Sequence, residues 1–291
     1  MTDNNSIDVE TWVVSAGQPS LTEMRKAMHV ILLAIATSAH LKQQMRMKGG
    51  VLLDIRYHTG RFTEDIDFST FQKYKDFDEV QFIKEFNERL ATVASEKYPG
   101  LVCIIQSHEV RPKSTDSSYQ TLKLKIAYAY TGTNSYKKLN SGICPNVVEI
   151  DYSFNEKTGT VDKLIVDGNQ ELLAYSLVDQ VAEKYRALIQ QPLYRRNRQR
   201  RQDAYDIYKI IEMGLIATKE DKHDILVSLI QSCTSRGITV TREMILEPAI
   251  RTQSVAQYKT LTSEISEPLP EFDSLFGVVT TYFQSLPWPK P

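Results

Sequence analysis

Apolar residues recur at helical spacing between residues 21 and 44 (Met24, Met28, Ile31, Leu32, Ile35, Leu41), which predicts one long helix. Ser20 can cap that helix, with Glu23 completing a capping box. After Lys48-Gly49-Gly50 the pattern shortens. Residues 121–128 (Thr-Leu-Lys-Leu-Lys-Ile-Ala-Tyr) and 147–152 (Val-Val-Glu-Ile-Asp-Tyr) alternate apolar and polar, and 101–105 are continuously apolar, so all three are expected to be strands. Only residues 78–97 interrupt this stretch with a helical pattern through Val80, Ile83, Phe86, Leu90 and Val93. Beyond Gly168 the period returns to 3.6 over 176–190, 198–213, 219–232 and further pieces to Phe283. The expected fold class is α+β. A mixed α/β domain would span residues 1–168, an α-helical domain 169–285, and a proline-rich extended tail 286–291.

Composition changes that picture only through its distribution. The 291 residues hold 35 Lys+Arg against 36 Asp+Glu, with 42% hydrophobic residues, which excludes disordered and collagen-like chains. A net charge of −1 argues on its face against a nucleic-acid partner. Local counting reverses this: Lys184, Arg186, Arg195, Arg196, Arg198, Arg200 and Arg201 are seven cations with no acid among them, and removing them from −1 leaves −8 for the rest. Arginine forks beside Tyr194 suit phosphates and unstacked bases, so Arg195, Arg196, Arg198, Arg200 and Arg201 are candidate nucleic-acid contacts. The alternative is a solvated charged face.

Residues 1–10 are acidic and lack the basic start of an export signal, and no membrane partner is expected. The most apolar stretch, 28–41, is interrupted by His29, Thr37, Ser38 and His40 and falls short of the ~20 apolar residues of a span, so it reads as a buried helix. Cys103, Cys144 and Cys233 are too widely spaced for a metal knuckle or disulfide framework, which places the chain in a reducing cytoplasm.

Candidate chemistry lies in a few polar constellations. If Ile66 and Phe68 are on a strand, Asp65 and Asp67 share its other face, where hard oxygen ligands suit Mg²⁺. Glu149 and Asp151 share a face in the same way. They are either the wet side of a sheet or the further carboxylate that a two-metal phosphoryl-transfer site needs. Gly49 reads as a helix C′ residue; alternatively Lys48-Gly49-Gly50 opens a helix whose N–H groups approach a phosphate. Asp179 can complete a cap with Ser176 or serve a site, while Lys184, about 140° round the helix from it, is a solvated lysine or a cation for a triphosphate. On the next helix Ala204, Ile207, Ile211 and Leu215 form the expected buried stripe and leave Asp203 and Asp206 available. No serine-hydrolase, zinc-protease, P-loop or dinucleotide fingerprint is present, and the five histidines show no ligand spacing; His29 reads as a core or helix-face residue.

In order, Lys48-Gly49-Gly50, Arg61-x-x-Glu64-Asp65-x-Asp67, Glu149-x-Asp151, Asp179-x-x-x-x-Lys184 and Arg201-x-Asp203-x-x-Asp206 resemble the motif series of the AbiEii/AbiGii nucleotidyltransferase toxins. These are polymerase-β-like nucleotidyltransferases of AbiE-type toxin–antitoxin and phage-defence systems. Their relatives include toxins that add nucleotides to the 3′ end of tRNA and so stop translation. The resemblance implies that Gly49 and Gly50 hold the triphosphate beside Lys48. It implies that Asp65, Asp67 and Asp151 ligate Mg²⁺, with Mn²⁺ as an alternative, and that Asp151 helps deprotonate the attacking hydroxyl. Lys184 would neutralise phosphate charge, and Asp203 would position the nucleotide or the lysine. Two positions depart from the family pattern: Val51 stands where a hydroxyl residue is common, and Gln202 where a basic one is usual.

The expectation is therefore a Mg²⁺-dependent transferase that moves a nucleoside monophosphate from an NTP to an RNA acceptor, with tRNA as first choice. A cognate antitoxin partner is implied by the resemblance alone. Two other readings stay open: the same fold acting on a small molecule or protein, and a catalytically silent protein that binds nucleic acid or antitoxin.

Overall fold

The computed structural model describes residues 6–113, 118–193 and 200–289. Its elements begin α1 (Val9–Val14), α2 (Pro19–Thr37), α3 (Ala39–Gln44), β1 (Arg46–Lys48), α4 (Gly49–Tyr57), β2 (Asp65–Ser69), α5 (Glu79–Lys97), β3 (Leu101–Arg111) and β4 (Thr121–Tyr130). They continue through α6 (Asn134–Asn140), β5 (Val147–Ser153), β6 (Val161–Asp167), β7 (Gln170–Tyr175), α7 (Leu177–Leu193), α8 (Arg201–Glu212), α9 (Lys219–Thr234), α10 (Pro248–Val255) and α11 (Phe272–Gln284). The chain divides into two compact units. The first holds α1–α6, β1–β6 and most of β7. The second holds α7–α11 with two short segments, Thr59–Phe62 and Lys157–Thr160.

In the first unit seven strands form one mixed sheet in the order β3-β4-β5-β2-β1-β7-β6. β3, β4 and β5 pair antiparallel, β5 runs parallel to β2, and β1 is antiparallel to β2 but parallel to β7. The core side is supplied by alternate residues: Ile66 and Phe68 of β2, Ile150 and Tyr152 of β5, and Leu122, Leu124 and Ile126 of β4 are all buried. Helix α2 packs on α5 and is buried almost all round, with Met28, Ile31, Leu32 and Ile35 inaccessible. Asp78 caps α5 by accepting from the Gln81 amide at 3.0 Å, and the helix buries Phe82, Phe86 and Leu90 at i, i+4, i+8. Phe82 stacks on Tyr152 with centroids 5.6 Å apart. His29 is wholly buried with Nδ1 2.8 Å from the Tyr98 hydroxyl, and burial lowers its pKa to about 4. Cys103, Cys144 and Cys233 are free and buried. Among the described residues no helix is long and apolar enough to cross a membrane.

Several expectations need correcting. The run from 21 to 44 is two helices, because Ser38 turns extended (ψ 122°) and caps α3 through the Leu41 amide. α2 begins at Pro19 with Gln18 as cap, so the Ser20/Glu23 box does not form. Three residues of strand, β1, separate α3 from Gly49, which starts α4 and ends no helix. Gly168 is the turn from β6 into β7, where Leu172 and Ala174 are buried, so strand structure extends to Tyr175. Helices α1 and α6 add to the elements that the periodicity predicts. Near the C-terminus Leu286 is buried and Trp288 packs on Phe283, donating to its carbonyl at 2.9 Å, so this stretch is tied to α11.

In the second unit Asp179 is the centre of a set of local hydrogen bonds. Its buried carboxylate accepts from Thr160 N (2.8 Å), Gly159 N (3.4 Å), Ser176 Oγ (3.1 Å) and Ser228 Oγ of α9 (2.5 Å), while Ser176 Oγ accepts from the Asp179 amide (3.1 Å). One carboxylate thus pins a loop, a helix start and a neighbouring helix. Replacing Asp179 with Ala leaves those donors buried without an acceptor and is expected to lower stability by about 2–4 kcal/mol; a urea midpoint equal to the parent's would contradict the role.

Candidate active site

The period of two in β2 sends Ile66 and Phe68 into the core and Asp65 and Asp67 to the opposite face. β5 repeats the arrangement with Glu149 and Asp151. The parallel register sets Asp65 beside Glu149 and Asp67 beside Asp151, at the interstrand spacing of about 4.8 Å. A row one residue deep then crosses five strands: Glu109, Lys123, Asp151, Asp67, Lys48. Two adjacent carboxylates repel, and the flanking lysines offset that repulsion. Lys123 Nζ lies 2.9 Å from Asp151 Oδ1, and Lys125 Nζ lies 3.0 Å from Glu149 Oε1. Thr63 Oγ1 donates to Asp65 Oδ1.

Three aspartates on one exposed face are hard oxygen donors of the kind that Mg²⁺ or Mn²⁺ prefers, so the donor chemistry fits a divalent cation. Among the described residues, however, no three His, Cys, Asp or Glu side chains are gathered as a metal cluster. Asp151 is turned to Lys123 and Asp65 to Thr63.

Gly49 follows from Asp67. Its φ is +80°, and a Cβ there would sit 3.0 Å from Asp67 Cβ and overlap the carboxylate. Gly49 therefore lets the N-terminus of α4 start against Asp67. Val51, in place of the expected hydroxyl, is fully buried.

Separately, the second unit gathers Lys184, Asp203 and Asp206. Asp206, expected to be available, is instead the buried centre: Arg61 Nε and Nη2 reach its two oxygens at 2.6 and 2.8 Å, and Lys184 Nζ lies 2.7 Å away. Burial pushes the Asp206 carboxyl up, but the charges of Arg61 and Lys184 overcome it and hold the pKa at about 2. Burial works against the Lys184 ammonium, yet Asp206 and then Asp203 raise its pKa above the ordinary lysine value. Asp203 lies 3.5 Å from Lys184 and 3.0 Å from Arg200. On α8 the buried apolar residues are Ala204, Tyr205, Ile207 and Ile210, so the stripe is rotated from the expected Ile211 and Leu215.

Segment 59–62 is held to this cluster by Glu264. Its carbonyl accepts from Phe62 N at 2.6 Å, and its carboxylate meets Arg61 (3.6 Å), Arg201 (3.0 Å) and Gln202 (2.8 Å). Arg200 and Arg201 are thus paired with acids, while Arg195, Arg196 and Arg198 lie outside the described residues. Sequence reasoning gave no role to Arg61, Glu264, Lys123 or Lys125. The first is quoted in a motif without a partner, and the lysines are visible only as polar positions of a strand.

The sequence profile of the family described as nucleotidyl transferase AbiEii toxin, type IV toxin–antitoxin system, matches residues 31–278. The chain belongs to that family and is a nucleotidyltransferase. Solved structures that share its fold include two from bacteria. JHP933 from Helicobacter pylori is 15% identical with a TM-score of 0.52, over 92% of this chain and 93% of that one. MenT4, a nucleotidyltransferase toxin of Mycobacterium tuberculosis H37Rv, is 14% identical with a TM-score of 0.51, over 94% and 87%. No curated protein matches the chain.

Two consequences are measurable. Gly49→Ala combines a left-handed backbone with a displaced Asp67 and is expected to cost about 1–3 kcal/mol of stability together with most of the transferase activity; an active, equally stable variant would remove the constraint. Asp206 contributes stability that is present above its unfolded pKa of about 3.9 and lost as pH falls towards about 2. Asp206→Asn should lose about 3–5 kcal/mol at pH 7 and show a flatter stability curve between pH 4 and 2 than the parent, as read from urea unfolding across that range.

Proposed function

We propose that this toxin is a Mg²⁺-dependent transferase that moves a nucleoside monophosphate from an NTP to an RNA acceptor, with the tRNA 3′ end as first choice, and blocks translation in the cytoplasm. The observation that carries the proposal is the shared rung of Asp67 and Asp151, with Asp65 two residues away on the same face. Asp65, Asp67 and Asp151 would hold Mg²⁺, or Mn²⁺ in its place. Bound there, the cation supplies Lewis acidity that lowers the pKa of an acceptor hydroxyl and screens the pyrophosphate.

The rest is positioning and charge. Asp151 would orient the acceptor hydroxyl and take its proton as the new O–Pα bond forms and the Pα–O bond to pyrophosphate breaks. The N–H groups of Gly49 and Gly50, with Lys48, would cradle the triphosphate. Lys184 would neutralise phosphate charge. Its ion pair with Asp206 keeps it protonated, and Asp203 would hold its direction. Arg195, Arg196, Arg198, Arg200 and Arg201 would track the RNA backbone. The family's type IV toxin–antitoxin membership supports a cognate antitoxin protein as partner.

The engagement of Arg200 and Arg201 by Asp203 and Glu264 favours one competing reading, transfer to a small molecule or protein. Incubation with Mg²⁺, each α-labelled NTP and total tRNA decides between them. The RNA reading expects label on tRNA that falls steeply with salt and disappears in Asp67→Ala. Label that persists in the variant, or tRNA left unmodified while another acceptor is labelled, would overturn it.

A further inference from the structure

The register that sets Asp151 beside Asp67 on one side sets Lys123 beside it on the other. Lys123 Nζ takes Asp151 Oδ1 at 2.9 Å, and both side chains are about one-third exposed, 36% and 33%. Through this contact the third carboxylate of the face has a side-chain cation as its partner. An ammonium is a compact single charge on a flexible stem, so it can neutralise a carboxylate and can also leave it. A part-exposed pair of this kind is weak, whereas a divalent cation among three carboxylates gains far more. Lys123 also has somewhere to go. Its register partner on the far side is Glu109, whose own ion pair is with the exposed Arg111 at 2.6 Å.

We propose that Lys123 is a built-in counter-ion that occupies Asp151 in the metal-free protein, is displaced when the divalent cation binds, and thereby sets the cation affinity of the site. The proposal rests on the assignment of Asp65, Asp67 and Asp151 as metal ligands. Lys125 makes the parallel pair with Glu149, which is not one of those ligands, and so serves as a comparison of equal chemistry one row away.

Mn²⁺ titration followed by electron paramagnetic resonance, with melting in EDTA and in saturating Mn²⁺, tests it on the parent, Lys123→Met, Lys125→Met and Asp151→Asn. Removing one positive charge beside the cation should tighten Mn²⁺ binding about three- to tenfold in Lys123→Met, and less in Lys125→Met. The rise in melting temperature on adding Mn²⁺ should also be larger in Lys123→Met than in the parent. Lys123→Gln carries the same expectation if the methionine variant does not fold. Unchanged or weaker Mn²⁺ binding in the Lys123 variants, with binding still lost in Asp151→Asn, overturns the counter-ion role and leaves the metal assignment intact. Parent-like Mn²⁺ binding in Asp151→Asn overturns the metal assignment and this proposal with it.

Discussion

Parallel pairing of β2 with β5 puts Asp67 and Asp151 on one rung, and like charges a strand spacing apart must be compensated for the sheet to hold them there. Several features of the first unit answer that requirement. Lysines flank the pair in the same row, and the two aspartates stand on the exposed face while Phe68 and Tyr152 take the buried one. Gly49 gives Asp67 room by having no side chain. The core side of the same strands is conventional, a sheet covered by α2 and α5, so the rigidity that fixes the carboxylates comes from burial behind them.

The second unit solves a different electrostatic problem. Lys184 is nearly buried and would tend to lose its proton, yet Asp206 and Asp203 keep it charged. Asp206 in turn is buried and would tend to gain a proton, yet Arg61 and Lys184 keep it ionised. Each charge is tolerable only because the others are present, so removing any one leaves an uncompensated buried ion. That mutual dependence keeps Lys184 charged, as its proposed role requires, and ties segment 59–62, through Arg61 and Glu264, into its unit.

What could be read from the sequence followed the range of the forces involved. Alternation in 121–128 and 147–152 located β4 and β5, and the apolar partners Ile66 and Phe68 were enough to put Asp65 and Asp67 on one face. β1 escaped because three residues carry no period, and β7 because its alternation spans only Leu172 and Ala174. The break at Ser38 lies inside an apolar pattern that continues on both sides, so periodicity alone runs through it. Arg61 and Asp206 are 145 positions apart, and nothing local marks a buried arginine as the partner of a distant aspartate. Family resemblance supplied the proposed roles of Gly49 and Lys184, which physical reading left open. The lysines of β4 stayed hidden because their meaning depends on which strand lies next to them.

Asp65, Asp67 and Asp151 are proposed as the cation site of this nucleotidyltransferase. A crystal grown with Mn²⁺ and a non-hydrolysable NTP tests this assignment most directly, through anomalous scattering. Anomalous density bonded to carboxylate oxygens of these three residues, with the triphosphate beside it, is the predicted result. Mn²⁺ and nucleotide bound elsewhere, with Asp151 still paired to Lys123, would contradict it.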